Sequence, residues 1–328
     1  MKYDLFISSL FVLFFNVLIG QDSPFGQVEV IDSKMNSFFV SNPNIEVLAK
    51  GFEWSEGPVW VPQLNGLLFS DVPQNKVFFW SPEKGLSLFL DPSGYTSGVS
   101  SIGEKGSNGL TLDENGSLIL CQHGDRRVAK LTSWSFLQPH YETLVDQFEG
   151  KRFNSPNDLV FSKNGTLFFT DPPYGLNQQD HDPNKELPYN GVYKLTPNGS
   201  LTLITNKLER PNGIGLSLDE KTLYVANSYA VNPIILAVNL TSVPYQSRVF
   251  FDGSELLKDR DGLFDGLKVH SSGMIFATGP GGVLIIDPEG KHLGTILLQN
   301  ATANCAFDLK EDYLYMTSDS VLARIKLK

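Results

Sequence analysis

Six segments of this chain each begin with a side chain that carries oxygen: Glu56, Asn108, Asn157, Asn212, Asp265 and Asn304. Behind each comes a short apolar run, a turn and a second apolar run, as in Asn108-GLTLDENGSLILC, Asn157-DLVFSKNGTLFFTD and Asn212-GIGLSLDEKTLYVAN. Two of the six are carboxylates and four are amides. Oxygen donors of this mixed kind suit a hard divalent cation, which gathers roughly six to eight of them. Softer metals prefer His or Cys, and neither heads a segment. A single Asn before Gly is ordinarily a turn residue that bonds its own backbone. Six of six at equivalent points, with Glu among them, point instead to one cation site. Ca²⁺ is the expected ion, with Mg²⁺ or Zn²⁺ as substitutes.

For six side chains to meet, the elements that carry them must form a ring. The turns fall at Gly66, Gly116, Gly165, Lys221, Gly273 and Asp312, at spacings of 50, 49, 56, 52 and 39 residues. Asn-Gly at 65–66, 115–116 and 164–165 predicts two-residue hairpin turns, because this pair accepts φ > 0. The flanking residues are β-branched and aromatic, as strands prefer. Further hairpins follow at 192–205 and 283–298. Four strands in each of six repeats predict an all-β fold, a six-bladed β-propeller over 45–328, with the first strand of every blade lining the channel. The last repeat ends at 321–328 with only its third strand. Residues 45–52 are expected to supply the fourth and so close the ring.

The loops after each second strand leave on the same face as the ring and should wall a pocket. Three substrate-binding candidates stand there: Asn108 of the ring, His123 as a proton carrier or hydrogen-bond donor, and Tyr174. The loop 172–190 is the longest and could serve as a lid. Cys121 and Cys305 lie in repeats that are not neighbours, so both are expected as free, buried thiols.

The 328 residues hold 26 Lys and Arg against 36 Asp and Glu, a net charge of −10. With no basic cluster, nucleic acid is excluded as a partner. Residues 1–20 read as a secretory signal peptide: Lys2, an apolar run from Leu5 to Ile19, then Gly20-Gln21-Asp22. Cleavage near Gly20 would send the mature chain to a periplasm or the medium. An extension, 21–44, would precede the propeller. No later segment is apolar enough to span a membrane.

The motifs WSEGPVW (54–60), CQHGDRRV (121–128), FTDPPYG (169–175), RPNGIGLS (210–217), DGLKV (265–269) and TGPGGV (278–283) resemble those of the gluconolactonase and regucalcin (senescence marker protein) family. The resemblance runs from about 45 to 328 and is nearest to the bacterial gluconolactonase-like branch. It implies a divalent cation, commonly calcium, at the positions matching Glu56, Asn157, Asn212 and Asp265. It also implies Asp265 as general base or nucleophile. Residues 94–109 run longer than the family spacing. The function implied is hydrolysis of a small-molecule lactone such as gluconolactone, with the cation as Lewis acid and a water or the Asp265 carboxylate attacking. Two alternatives stand beside it: another esterase, paraoxonase- or phosphotriesterase-like, on the same site, and a non-catalytic propeller binding a sugar or protein. The carboxylates in the ring weigh against the second.

Overall fold

Successive side chains of a strand point to opposite faces, so a strand buried on both faces must lie between two sheets. Here both parities are apolar. Leu223 and Val225 pack on Phe168 and Val192 of the preceding sheet. Tyr224 and Ala226, between them in sequence, pack on Leu267 and Ile275 of the following one. The same division recurs around the molecule, with a separate apolar cluster between each pair of neighbouring sheets. Each fully buried Leu or Val there contributes roughly 1.5–3 kcal/mol.

A computed structural model describes residues 24–40, 43–98, 103–133 and 138–328. The signal-peptide reading of 1–20 lies outside them. The described residues form six antiparallel blades, a β-propeller. The inner strands are Ser55–Val61, Ser107–Leu112, Leu159–Phe161, Pro211–Leu216, Leu267–Val269 and Asn304–Phe307. Among the described residues there is no α-helix, only 3₁₀ turns such as Ser33–Ser37, and no helix is long and apolar enough to cross a membrane. Cys121 lies between the second and third blades and Cys305 between the fifth and sixth; both are free and buried.

The last blade takes its outer strand from the other end of the chain. Ile45–Lys50 pairs antiparallel with Val321–Lys326, from Ile45 opposite Ile325 to Lys50 opposite Val321, with a bulge between Val47 and Ala49. Phe52, Ala306 and Tyr315 of this blade then pack on Leu67 and Phe69 of the first. Described residues of the segment set apart as 21–44 are also woven in. Gly26–Val30 adds a fifth strand to His292–Leu298, and Met35 is fully buried. Ile45→Ala is expected to cost about 2–5 kcal/mol, because Ile45 is buried among Ile325 and its neighbours. Leu86→Ala, on the 39% exposed edge of the first blade, should cost under about 1 kcal/mol. Equal urea midpoints for the two variants would refute closure through this strand.

The turns correct one expectation. At Asp113–Gly116 only the glycine has positive φ, 77°, and its N–H donates to the Asp113 carbonyl at 2.9 Å. Asp113 Oδ1 also accepts from the N–H groups of Asn115 and Ser117, at 2.9 and 2.8 Å. Ser162–Gly165 repeats this backbone pattern. These are longer turns ending in a left-handed glycine, not two-residue Asn-Gly turns. At 65–66 the left-handed residue is Asn65, φ 46°, and Gly66 already begins a strand.

Candidate active site at the channel mouth

A recurring clamp sets the residue that enters three of the six inner strands. Asp71, at the end of a second strand, accepts the N–H groups of Glu53 and Trp54 at 3.1 and 3.2 Å. Asp171 accepts those of Asn154 and Ser155 at 2.9 and 2.8 Å. Asn227 accepts that of Arg210 at 2.8 Å. Each clamped segment leads directly to a ring residue: Glu56, Asn157 and Asn212. The residue after the ring position comes very near the next blade. A Cβ on Gly57, φ 51°, would sit 1.9 Å from the Asn108 carbonyl oxygen, so only glycine fits there.

Five of the six ring residues line one pocket of about 270 Å³: Glu56, Asn108, Asn157, Asn212 and Asp265, together with Glu104, Tyr174 and Ser228. A larger cavity, about 550 Å³, opens at the other end of the inner strands, but Val59, Trp60, Leu110, Val160 and Leu216 make it apolar. It offers no comparable set of converging oxygens. Asn304, the sixth ring residue, turns inward instead. Its Nδ2 donates to Glu56 Oε2 and Asp158 Oδ2, both at 3.3 Å. Its Oδ1 accepts from Cys305 N–H at 2.9 Å and Lys268 Nζ at 3.2 Å.

The pocket oxygens are short of donors. Asn108, Asn157, Asn212 and Asp265 each hold a buried Oδ1 with no hydrogen-bond partner among the described residues. A buried polar atom left so costs on the order of 1–3 kcal/mol. The carboxylates also oppose each other. Burial, and then the charge of Asp158, push Glu56 up to about 7, against the pull of Gly57 N–H, Asn304 and Lys268. Burial, then the charges of Glu56, Asp158 and Glu104, hold Asp265 well above the usual carboxylate range. A divalent cation among these atoms would satisfy the orphaned oxygens and offset the repulsion, so the residues fit such an ion. Among the described residues no three His, Cys, Asp or Glu side chains form a metal cluster, so the amides must supply ligands. An all-oxygen set suits calcium or magnesium better than zinc.

Tyr174 reaches the pocket, as the sequence suggests. Burial and the nearby Asp265 charge raise its phenol, outweighing contacts with Ser228 and Asn212, so it remains an O–H donor. His123 does not line the pocket, contrary to expectation; its ring is fully buried behind it. Burial lowers its pKa to about 4, although the Glu104 backbone works the other way. The imidazole is therefore neutral at pH 7. Its Nε2 faces Asn157 Nδ2 at 3.5 Å, an arrangement that turns Asn157 Oδ1 toward the pocket. The 172–190 loop is tied down. Gly175 N–H donates to Ser155 Oγ at 2.8 Å, Asn154 Nδ2 to the Tyr189 carbonyl at 3.0 Å, and Leu176 and Leu187 are buried. It forms a wall.

Sequence reading missed Asp158, Lys268 and Glu104. Lys268 Nζ lies 3.5 Å from Asp158 Oδ2 and partly neutralises the channel interior. A signal was available for Asp158. The residue after each ring position is Gly57, Gly109, Asp158, Gly213, Gly266 and Cys305, and only one of these is charged.

Comparison with known proteins agrees with this architecture. A family model for the SMP-30/gluconolactonase/LRE-like region matches residues 54–320. A gluconolactonase of Zymomonas mobilis is 38% identical over 314 residues, 93% of this chain and 87% of that protein. Regucalcin of Xenopus laevis is 24% identical over 285 residues, 84% of this chain and 87% of its own. The solved structure of a Xanthomonas campestris gluconolactonase aligns with a TM-score of 0.78 at 29% identity, covering 92% of this chain and 95% of that one. With a family model spanning most of its length and a relative 38% identical over 93% of it, the chain belongs to the SMP-30/gluconolactonase family.

Proposed function

We propose that this protein is a lactone hydrolase whose reaction takes place in the 270 Å³ pocket and depends on a divalent cation, calcium first. The observation that carries the reading is the set of four buried, unpartnered oxygens beside two mutually repelling carboxylates, in a chain 38% identical to a gluconolactonase. Glu56, Asn157, Asn212 and Asp265 would hold the ion, with Asn108 close by. When bound, a divalent cation supplies Lewis-acid polarisation of the lactone carbonyl and stabilisation of the oxyanion that forms there. The chain's own groups divide the remaining work. Asn157 and Asn212 are amides and cannot take a proton; they keep the site less negative than an all-carboxylate cage. Asp265, once ionised, accepts the proton of a water that attacks the carbonyl carbon and returns it to the ring oxygen as the ester C–O bond breaks; attacking that carbon itself, it would expel the ring oxygen and form an anhydride that water then hydrolyses. Tyr174 donates a hydrogen bond to a substrate oxygen. His123 holds Asn157 in place.

Initial rates on a panel of sugar lactones, unsubstituted lactones and an organophosphate ester, with calcium present, test the reading. Lactone turnover well above the buffer rate, with little organophosphate turnover, is the expected result. Organophosphate turnover equal to lactone turnover would favour the phosphotriesterase-like alternative. No turnover of any ester would favour a binding propeller.

A further inference from the structure

The pocket wall holds one carboxylate that neither the cation ring nor the proposed chemistry uses. Between the outer strand of the first blade, Gly85–Leu90, and the inner strand of the second, Ser107–Leu112, lie 16 residues of sequence, 91–106, against five at 206–210 and five at 299–303. The end of this crossing is fastened to the channel face. Gly106 N–H donates to the Val72 carbonyl at 2.8 Å, and the carbonyls of Lys105 and Gly106 accept from Gly124 and His123 N–H, both at 3.1 Å. Glycine is needed at 106, where a Cβ would meet the Val72 carbonyl oxygen at 2.5 Å. Glu104 stands just before this anchor, with its side chain in the wall of the pocket that Asp265 and Tyr174 also line.

Among the described residues the Glu104 carboxylate accepts no hydrogen bond; His123 Nδ1 is 3.7 Å away, too far for one. The side chain keeps 41% of its surface open, enough for a ligand to reach it. Glu104 also lines the confined pocket, and burial there pushes its carboxyl up to about 7. A carboxylate that accepts nothing from the described residues is open to O–H donors, and adjacent hydroxyls can each engage one oxygen. A sugar lactone carries such hydroxyls beside its carbonyl; an unsubstituted lactone carries none. We propose that Glu104 is a specificity-determining residue, binding the hydroxyls of a polyhydroxylated lactone whose carbonyl lies near Asp265. The inference rests on the lactone-hydrolase reading above.

The test compares wild type, Glu104→Gln and Glu104→Ala on D-glucono-1,5-lactone and on δ-valerolactone, both with saturating calcium. Loss of a hydrogen bond to a charged acceptor corresponds to about 10- to 100-fold. Glu104→Ala should lose that much in kcat/KM on the sugar lactone, mainly through KM, with Glu104→Gln between it and wild type. On δ-valerolactone all three should agree within about 3-fold, which also shows that the variants fold and hold their cation. An equal fall on both substrates would overturn the proposal, giving Glu104 a role at the reacting atoms or in folding. No fall on either would overturn it as well. If wild type hydrolyses neither lactone, the parent reading fails and this inference fails with it. A wild type active on both, with unselective variants, sinks the inference alone.

Discussion

Asp265→Asn is expected to lower kcat by about 10²–10⁴-fold at saturating calcium, the usual range for a lost general base. The substitution is nearly isosteric. It keeps one oxygen for a cation while removing the group that accepts a proton and one negative charge. Two effects can therefore be separated. If Asp265 only holds the ion, affinity falls and added calcium restores most of the rate. If it is base or nucleophile, the rate stays low however much calcium is supplied. Its setting supports the second outcome. Among the described residues Asp265 Oδ1 has no hydrogen-bond partner, and burial holds its pKa above the carboxylate range in the absence of a cation, so it has room to take a proton. Glu56, whose pKa burial also raises, lacks that room, because its Oε2 already accepts from Gly57 N–H at 2.7 Å and from Asn304 Nδ2. Titrating calcium into the variant while following initial rates decides between them. Full activity at high calcium would move the base elsewhere.

The ring was legible because propeller symmetry turns a sequence interval into a spatial coincidence. Once Glu56, Asn108, Asn157, Asn212 and Asp265 stand at equivalent points of repeats, they must converge. Asn304 shows the limit of that logic. It occupies the equivalent point, but the charges of Asp158 and Lys268 offer its amide better partners inside the channel than at the pocket. Asp158 lies just before the strand Leu159–Phe161 and Lys268 within Leu267–Val269, and their pairing depends on contacts between different blades. His123 failed for a similar reason. Its loop reads as surface, yet Gly106 and Glu104 of the long crossing cover it, and no local pattern encodes that cover. The strand Gly26–Val30 is too short and mixed to announce itself; its pairing with His292–Leu298 exists only in the folded molecule. The turn type was misjudged because Asn-Gly is compatible with both geometries, and Asp113 two residues earlier selects the longer one.

Removing divalent cations is expected to destabilise the protein strongly at pH 7.5 and little at pH 5. Glu56 carries the argument, with Asp265 in the same direction. Its ordinary pKa is 4.5, and in the ion-free fold it is raised to about 7, chiefly by burial. Between those values the folded chain binds more protons than the unfolded chain. The stability linked to Glu56 is therefore fully present below pH 4.5 and is lost as pH rises through about 7. The loss is on the order of 3 kcal/mol for Glu56. A cation reverses this, because it binds the ionised carboxylates and only in the folded state. At a free concentration about 100-fold above its dissociation constant it restores about 2.7 kcal/mol. Thermal melts with chelator and with excess calcium, at both pH values, read this directly. The gap between the two melting curves should be several degrees or more at pH 7.5 and should narrow sharply at pH 5. Glu56→Gln removes one titrating group, so it should raise the chelated melting temperature at pH 7.5 while weakening the response to calcium. A chelator effect equal at both pH values, or none at either, would mean that no cation sits among these carboxylates, and lactone turnover would have to proceed without one.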